Sequence, residues 1–247
     1  MRQDRILTFP SEHGAYIILL AAWLWGVIFS TVVRVEGSVL VLAVALTLFL
    51  SQESVRRLLR ARTARLHPVI IGTLLLSLAT SVLLIVRYPS VMYVTVPTIL
   101  LGLLYFLIAR KKVSPYTRSA IGFTLLSLIA PATMLANNEA ATADSILVWL
   151  GVACFATSSV LVVGIRLDQA NAFQRALWFH IAYGIGSILL LLSGSISLAL
   201  CMLSVVAIMR YVIVVATRNA YRSLPLKVVG ILESIVTVIA LLSAAFL

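Results

Sequence analysis

The amino-acid sequence predicts an all-α membrane protein, a single integral domain over residues 1–247 with nine transmembrane helices, N-terminus inside and C-terminus outside. Three observations carry this expectation. Apolar residues make up 62% of the chain and charged residues 11%, against roughly 25% charged in a soluble domain. The apolar residues fall into nine long runs separated by short breaks, and about 20 of them suffice to cross a hydrocarbon core of about 30 Å as a helix. Finally, 17 of the 19 Lys and Arg lie at the N-terminus or in every second break. Basic short loops stay on the cytoplasmic side, so this spacing orients the chain and agrees with an odd number of crossings.

In order, the runs predict helices over 14–33, 37–52, 68–87, 90–109, 117–136, 145–166, 177–194, 196–217 and 227–246. Helices are required because open strands leave backbone groups unpaired in lipid. Pro10, Pro68, Pro89, Pro115 and Pro225 stand at or before the start of a run, where a missing N–H does no harm. Pro97 and Pro131 fall inside the fourth and fifth runs and are expected to kink them. The breaks after the second, fourth, sixth and eighth runs are the longer ones and hold most of the polar side chains. A site, if present, is therefore expected to open to the cytoplasm.

The net charge of +11 does not signal a nucleic-acid partner, because the cations sit in loops one helix apart and form no continuous soluble face. Contact with anionic membrane lipid accounts for them. Cys154 and Cys201 have no CxxC partner, which argues against a disulfide or a thiolate metal site. The first apolar run is too long for a signal peptide and lacks a small-residue exit, so it reads as a retained helix.

Four constellations could carry chemistry. Glu12 and His13 stand directly before the first run as acid–base candidates, although Ser11 also fits an N-cap and Glu12 a first turn. Gln52, Arg56 and Arg60 share one helical face at i, i+4 and i+8, with Arg57 placed to pair with Glu53. Guanidinium groups clustered at a helix end bind a phosphate or diphosphate in bidentate fashion, and they equally anchor a helix to lipid. In the break after the sixth run, Asp168, Asn171 and Arg175 would share a face, close to Arg166 and to His180 at the start of the seventh helix. Asp168 is the best single candidate for holding a proton or a metal. As a lone carboxylate it is weak support for Mg²⁺, which takes one or two carboxylates together with phosphate oxygens. The fourth constellation is intramembrane: Arg210 and Glu233 sit at similar depth, about 9–12 Å from one end of their helices at about 1.5 Å per residue, and are placed to pair as a structural ion pair. His13 and His180 also offer two axial ligands at one depth for a haem, with no repeated His spacing behind that reading.

Short motifs point to a family. Pro-Ser-Glu-His-Gly-Ala-Tyr (10–16), Ala-Arg-Lys-Lys with Tyr-Thr-Arg-Ser and Leu-Ile-Ala-Pro-Ala (within 109–132), Gly-Ile-Arg-Leu-Asp-Gln (164–169) and Lys-Val-Val-Gly-Ile-Leu-Glu (227–233) resemble the YwiC-like family of bacterial integral membrane proteins. In that family's opening motif Tyr16 replaces the usual Trp. The resemblance runs from about residue 9 to residue 233. The architecture also resembles the UbiA superfamily of intramembrane prenyltransferases, and 103–123 is similar to its segment joining helices four and five. That resemblance implies a nine-helix bundle with an active site under the loops after helices two, four and six. It further implies Asp-rich motifs holding Mg²⁺ on an isoprenoid diphosphate. Here the matching places offer only Glu53 among arginines and Asp168 alone, so Mg²⁺-dependent transfer is not expected to run as it does in that superfamily.

The resulting expectation is a multi-pass protein of a bacterial or archaeal cytoplasmic membrane. It would bind, and in one version transfer, an isoprenoid or similar lipid with an anionic head group. Gln52, Arg56, Arg57, Arg60, Lys111, Arg118, Arg166, Asn171 and His180 are expected to receive the head group, with Glu12, His13 and Asp168 as acid–base candidates. The alternative is a non-enzymatic subunit or assembly factor of a larger membrane complex with partner proteins.

Overall fold

The computed structural model describes residues 13–60, 68–109, 115–138, 143–167 and 171–247. Among them there is no strand, and every predicted apolar run becomes helical. The elements are α1 (His13–Ile28), α2 (Val35–Arg60), α3 (Pro68–Arg87), a 3-10 turn (Pro89–Val91), α4 (Met92–Ala109), α5 (Pro115–Ser127), α6 (Ile129–Asn138), α7 (Ala143–Arg166), α8 (Ala172–Leu192), α9 (Leu198–Ala216), α10 (Arg218–Ser223) and α11 (Leu226–Ala245).

These helices define a multi-pass membrane protein, with fewer described segments long and apolar enough to span than the nine the sequence predicts. Among the described residues five segments are long and apolar enough to cross a membrane, or six if a bent pair counts as one span. The pair is α3 with the 3-10 turn and α4, which meet at a bend of 116°. The apolar part of α1 covers only Ala15–Ile28 and that of α2 Val35–Ser51. At about 1.5 Å per residue, both fall short of a hydrocarbon core of about 30 Å.

Three local features depart from the predicted elements or refine them. The fifth run is two helices, α5 and α6, interrupted at Leu128. Pro131 lacks the N–H that would reach the carbonyl of Ser127, and its ring crowds that carbonyl. The Leu128 amide turns back to Leu125 O at 3.2 Å instead. The other internal proline behaves differently, since α4 continues through Pro97. The seventh run begins five residues early, because Asn171 takes the left-handed conformation (φ 60°) directly before α8. The helix therefore does not continue back through Asn171, and Asp168, expected to share a face with Asn171 and Arg175, lies outside the described residues. Finally, the break after the eighth run contains the short helix α10, which no apolar periodicity announces.

Hydroxyl side chains are accommodated by bonding to their own helix. Ser77, Thr80, Ser81, Thr98, Thr124, Ser234 and Ser243 each donate to a carbonyl four residues back, at 2.7–2.9 Å. Such bonds let a polar group face an apolar medium without a stranded donor. The turn from α8 to α9 closes with Gly194 at φ +70°. Its amide bonds to Leu191 O and that of Ser195 to Leu190 O, the double bond pattern that ends a helix at a left-handed glycine.

The interior is organised around α1, α6, α7, α9 and α11. Trp25, Phe155, Leu203, Ala22, Ala130, Val152, Ala207 and Ala240 are fully buried there, and the Trp25 and Phe155 rings meet edge to face at 5.3 Å. The approach of α1 to α6 is close enough to need glycine. A Cβ on Gly26 would lie 2.5 Å from Ala130 O and 2.6 Å from Thr133 Cβ. A second core gathers α2, α3, the 3-10 turn, α4 and the α5–α6 break through Val41, Leu84, Tyr88, Val91, Leu128 and Leu135. A third joins Val162 and Ile165 at the end of α7, Ala172 and Ala176 at the start of α8, Tyr211 and Val214 at the end of α9, Tyr221 of α10 and Val229 of α11. That third core lies at the end of the bundle where the basic breaks after α7 and α9 converge.

Candidate functional site

Between the first and third cores lies a polar centre built on Arg210, whose neighbours Phe155 and Tyr211 belong to one and the other. This side chain comes from α9, is 5% exposed, and reaches three groups on two neighbouring helices. Its Nη1 donates to Glu233 Oε2 of α11 at 2.6 Å and to Ser159 Oγ of α7 at 2.6 Å, while Nη2 donates to Ser158 Oγ. Ser158 in turn donates to Phe155 O at 2.7 Å, and the guanidinium carbon lies 5.4 Å from the centre of the Phe155 ring, within cation–π range. Arg210 and Glu233 stand about 9–10 Å from the ends of their helices at about 1.5 Å per residue, as their spacing in the chain predicts. Arg210 Nε nevertheless has no partner.

Glu233 is engaged through one oxygen only. The bonds to its side chain end on Oε2, although a guanidinium and a carboxylate are able to meet in two parallel bonds. Its side chain keeps 16% exposure against 4% for Arg210. Above this pair sits α10. Tyr221 is 5% exposed and its hydroxyl has no partner. Burial raises that phenol well above its usual pKa, and the neighbouring Glu233 carboxylate adds to the rise, while Arg210 and Arg166 oppose it. The hydroxyl thus lies in the field of all three charged groups. Arg166, at the end of α7, holds the α10–α11 linker by donating from Nε and Nη2 to Leu224 O at 3.1 and 2.9 Å.

His180 belongs to the same end of the bundle but not to a helix start. The early start of α8 places it in the third turn, 2% exposed, with its ring stacked on Tyr211 at 4.6 Å. Nδ1 lies 2.6 Å from Ala176 O. A carbonyl can only accept, so Nδ1 carries the proton and the partnerless Nε2 presents a lone pair. The expectation of His180 at the start of a helix is corrected accordingly: it lies within α8, beside the rings of Phe179 and Tyr211.

The remaining candidates divide as follows. Glu12, Lys111 and Asp168 lie outside the described residues. His13 opens α1, and Gln52, Arg56, Arg57 and Arg60 fall on the last turns of α2; their side chains likewise lie outside what the structure describes. Arg118 is half-buried in the first turn of α5, and Asn171 is exposed. Of the expected site residues the structure therefore joins Arg210 with Glu233, and places Arg166 beside them through α10. Among the described residues no three His, Cys, Asp or Glu come together as metal ligands, so those residues form no nest for Mg²⁺.

Sequence reasoning missed Ser158, Ser159 and Tyr221, and it missed a second polar joint altogether. Asn137, at the end of α6 and 1% exposed, accepts at Oδ1 from the Arg34 amide (3.1 Å) and Ser38 Oγ (3.0 Å). Its Nδ2 donates to Ser30 Oγ at 3.0 Å. Ser90 Oγ reaches Leu135 O nearby, at 3.0 Å. Polar residues around Asn137 are visible in the sequence as a break, but their partners lie about a hundred residues away.

A multi-helix membrane protein with one charged centre buried near a basic end is the class that this geometry defines. The chain belongs to the YwiC-like family, whose model, described as YwiC-like protein, matches residues 9–134. That stretch ends within α6, so the motifs at 164–169 and 227–233 and the whole Arg210 centre lie beyond it. No curated protein and no solved structure matches the chain.

Proposed function

We propose that this protein binds an isoprenoid or similar lipid with an anionic head group at the basic end of a UbiA-like bundle that crosses the cytoplasmic membrane nine times. The nine crossings are α1, α2, α3, α4, α5 with α6, α7, α8, α9 and α11, with the N-terminus inside. The shorter elements, α1 and α2, are accommodated by local thinning of the bilayer, at a cost of fractions of a kcal/mol per Å of mismatch. The observation that supports the reading is that the basic segments at the ends of α7 and α9 meet beside a buried charged pair, Arg166 holding the α10–α11 linker and Arg210 bonded to Glu233. Residues ionisable inside a membrane are costly and mark pathways or sites by default. Arg56, Arg57, Arg60, Lys111 and Arg118 would grip the head group, and the apolar tail would lie along the helices.

Two measurements test this. Single cysteines in a background lacking Cys154 and Cys201 should react with an impermeant reagent at Asn138 and Ser195, and remain protected at Ala64 and Ala170 in intact cells. Labelling at Ala64 from outside reverses the orientation and removes the cytoplasmic site. Purified protein should also bind geranylgeranyl diphosphate with an affinity that falls as salt rises, because ionic contacts are screened. Absence of saturable binding at low salt defeats the proposal.

A second reading, a non-enzymatic subunit or assembly factor, draws on Arg166. Its guanidinium is engaged with the Leu224 carbonyl and so supports the fold rather than a ligand. Stoichiometric partner proteins retained through purification, without bound lipid, would favour this reading.

A further inference from the structure

Helices pack on one another around the whole circuit of the bundle except at one place. α1 packs on α2 and α2 on α3; α4 packs on α5, α5 on α7, α7 on α8, α8 on α9, α9 on α11, and α11 returns to α1. α3 and α4 meet instead through the 3-10 turn, which packs on both. Beyond that turn they diverge at 116°, far from the antiparallel return of a tight helical hairpin. Among the described residues α2 does not pack along α4 either. The circuit is therefore open between the α2–α3 pair and the α4–α5 pair, and the opening widens away from the turn.

The two arms are apolar and the helices behind them end in cations. On α3, Leu75, Leu78 and Val82 belong to one open apolar groove; on α4, Ile99, Leu103 and Leu107 are exposed. Gly72 and Gly102, towards the wide end of the arms, have nothing within 4 Å of where a Cβ would stand. Behind, a fourth core joins α2 to α5 by way of α1, with Leu19, Ala45 and Phe49 buried and Phe123 packed against them. Thr47 meets Thr80 at 3.3 Å, and a Cβ on Gly122 would lie 3.6 Å from the Tyr105 ring, which sets Phe49 and Phe123 level with the middle of the two arms. The opening is thus a wedge with an apolar back, not a passage. At its wide end α2 finishes with Arg56, Arg57 and Arg60. α5 starts there with Arg118 in its first turn, and Arg118 Nε is buried without a partner.

An apolar wedge alone suits any bilayer chain, because lipid tails are as apolar as leucine and entry gains no hydrophobic energy. Charge narrows the choice. An arginine-rich helix end beside α3 and a first-turn arginine beside α4 favour a chain that carries a phosphate or diphosphate. We propose that the α3–α4 wedge holds the tail of the isoprenoid lipid, with its anionic head at the wide end between the end of α2 and the start of α5. This placement rests on the lipid-binding reading above and adds the path of the chain to it. The tail enters sideways from the bilayer between α3 and α4, while the other seams of the circuit, α1 against α11 included, stay closed.

The test uses the full-length protein in nanodiscs of zwitterionic lipid, with geranylgeranyl diphosphate carrying a diazirine at the far end of its tail. Photolabelling should fall on α3, the 3-10 turn and α4, and excess unlabelled geranylgeranyl diphosphate should abolish it. Gly72→Phe combined with Gly102→Phe fills the wide end where no neighbour stands, so the unfolding temperature should hold. Saturable binding should weaken about five- to tenfold, the penalty of forcing side chains into occupied space. Gly230→Phe on α11, whose Cβ also meets nothing, should bind as the unsubstituted protein does. Competable labelling centred on other helices, or a doubly substituted protein that keeps both its fold and its affinity, overturns the wedge and leaves the head-group reading standing. If the double substitution unfolds the protein, the label positions decide alone. An anionic phospholipid that displaces the label as well as the isoprenoid does makes bilayer lipid the occupant and overturns the assignment. Absence of saturable binding removes both readings together.

Discussion

At the Asn137 joint one amide makes three hydrogen bonds, accepting from the Arg34 amide and Ser38 Oγ and donating to Ser30 Oγ, which itself donates to Gly26 O. At the Arg210 centre a guanidinium also makes three, yet Arg210 Nε and the overlying Tyr221 hydroxyl are left without partners. Both regions tie separate elements of the chain together across long sequence separations, and both are buried. They differ in charge and in closure. The Asn137 joint is neutral and its side-chain amide is engaged at both ends, which is how a polar group is used as a fastener. The Arg210 centre pairs a guanidinium with a carboxylate and leaves donors unused, so its hydrogen bonding is less complete than that of the joint. Buried ion pairs are weak evidence for stability, since desolvation offsets their attraction. Incomplete bonding weakens the stabilising role further here.

The largest effect should come from splitting the charged pair. Glu233→Leu strands the Arg210 guanidinium, which cannot shed its proton, and removing one partner of a buried pair costs about 3–5 kcal/mol. Arg210→Leu should cost less than Glu233→Leu, because the stranded Glu233 keeps some exposure and a carboxyl can be neutralised by a proton. The double substitution should recover much of the loss, with a coupling energy of up to about 3 kcal/mol. Thermal unfolding of all three in one detergent measures this. Additivity within about 0.5 kcal/mol would mean the two side chains act separately, and the contrast with Asn137 would then rest on charge alone.

Next in size is the neutral joint. Asn137→Leu removes the acceptor of Ser38 Oγ and of the Arg34 amide, at about 1–3 kcal/mol for each group that stays buried, while Ser30 keeps its bond to Gly26 O. Ser30 and Arg34 border an exposed turn and can turn to water, so the total should stay near the cost of one such group. Its effect should be the same for ligand-free and ligand-bound protein. A change in ligand affinity would show that the joint is not merely a fastener.

How far the sequence anticipates these regions follows from what local pattern can encode. Apolar run length marks where helices are, and Arg210 and Glu233 are legible because a charge inside such a run stands out and the two counts from the helix ends agree. Helix breaks are harder. Pro131 announces the break at Leu128, whereas Pro97 gives the same signal and breaks nothing. Asn171 ends any continuous helix through Asp168 by a left-handed backbone that Asn tolerates but its letter does not impose. Ser158, Ser159 and Asn137 are silent for a different reason. A serine in an apolar helix usually bonds to its own backbone, as Ser77 does, and nothing local tells which one will instead receive a guanidinium from 51 residues away. The break between α3 and α4 is legible at Pro89, but its angle of 116° is not encoded by local pattern.

The smallest expected effect separates the two regions most sharply. Ser38→Ala and Tyr221→Phe each delete one buried hydroxyl, and simple burial would rank them alike. They should differ because the Ser38 hydroxyl donates to Asn137 Oδ1 at 3.0 Å, while the Tyr221 hydroxyl donates to nothing. Losing a made hydrogen bond costs about 0.5–1.5 kcal/mol, so Ser38→Ala should lower thermal stability measurably. Deleting an unpartnered hydroxyl removes a desolvated group and should leave stability unchanged within about 0.5 kcal/mol, or raise it slightly. Paired unfolding curves in the same detergent decide the matter. If Tyr221→Phe is as damaging as Ser38→Ala, the hydroxyl is bonded in the ligand-free protein, the Arg210 centre is as closed as the Asn137 joint, and its surplus capacity does not exist.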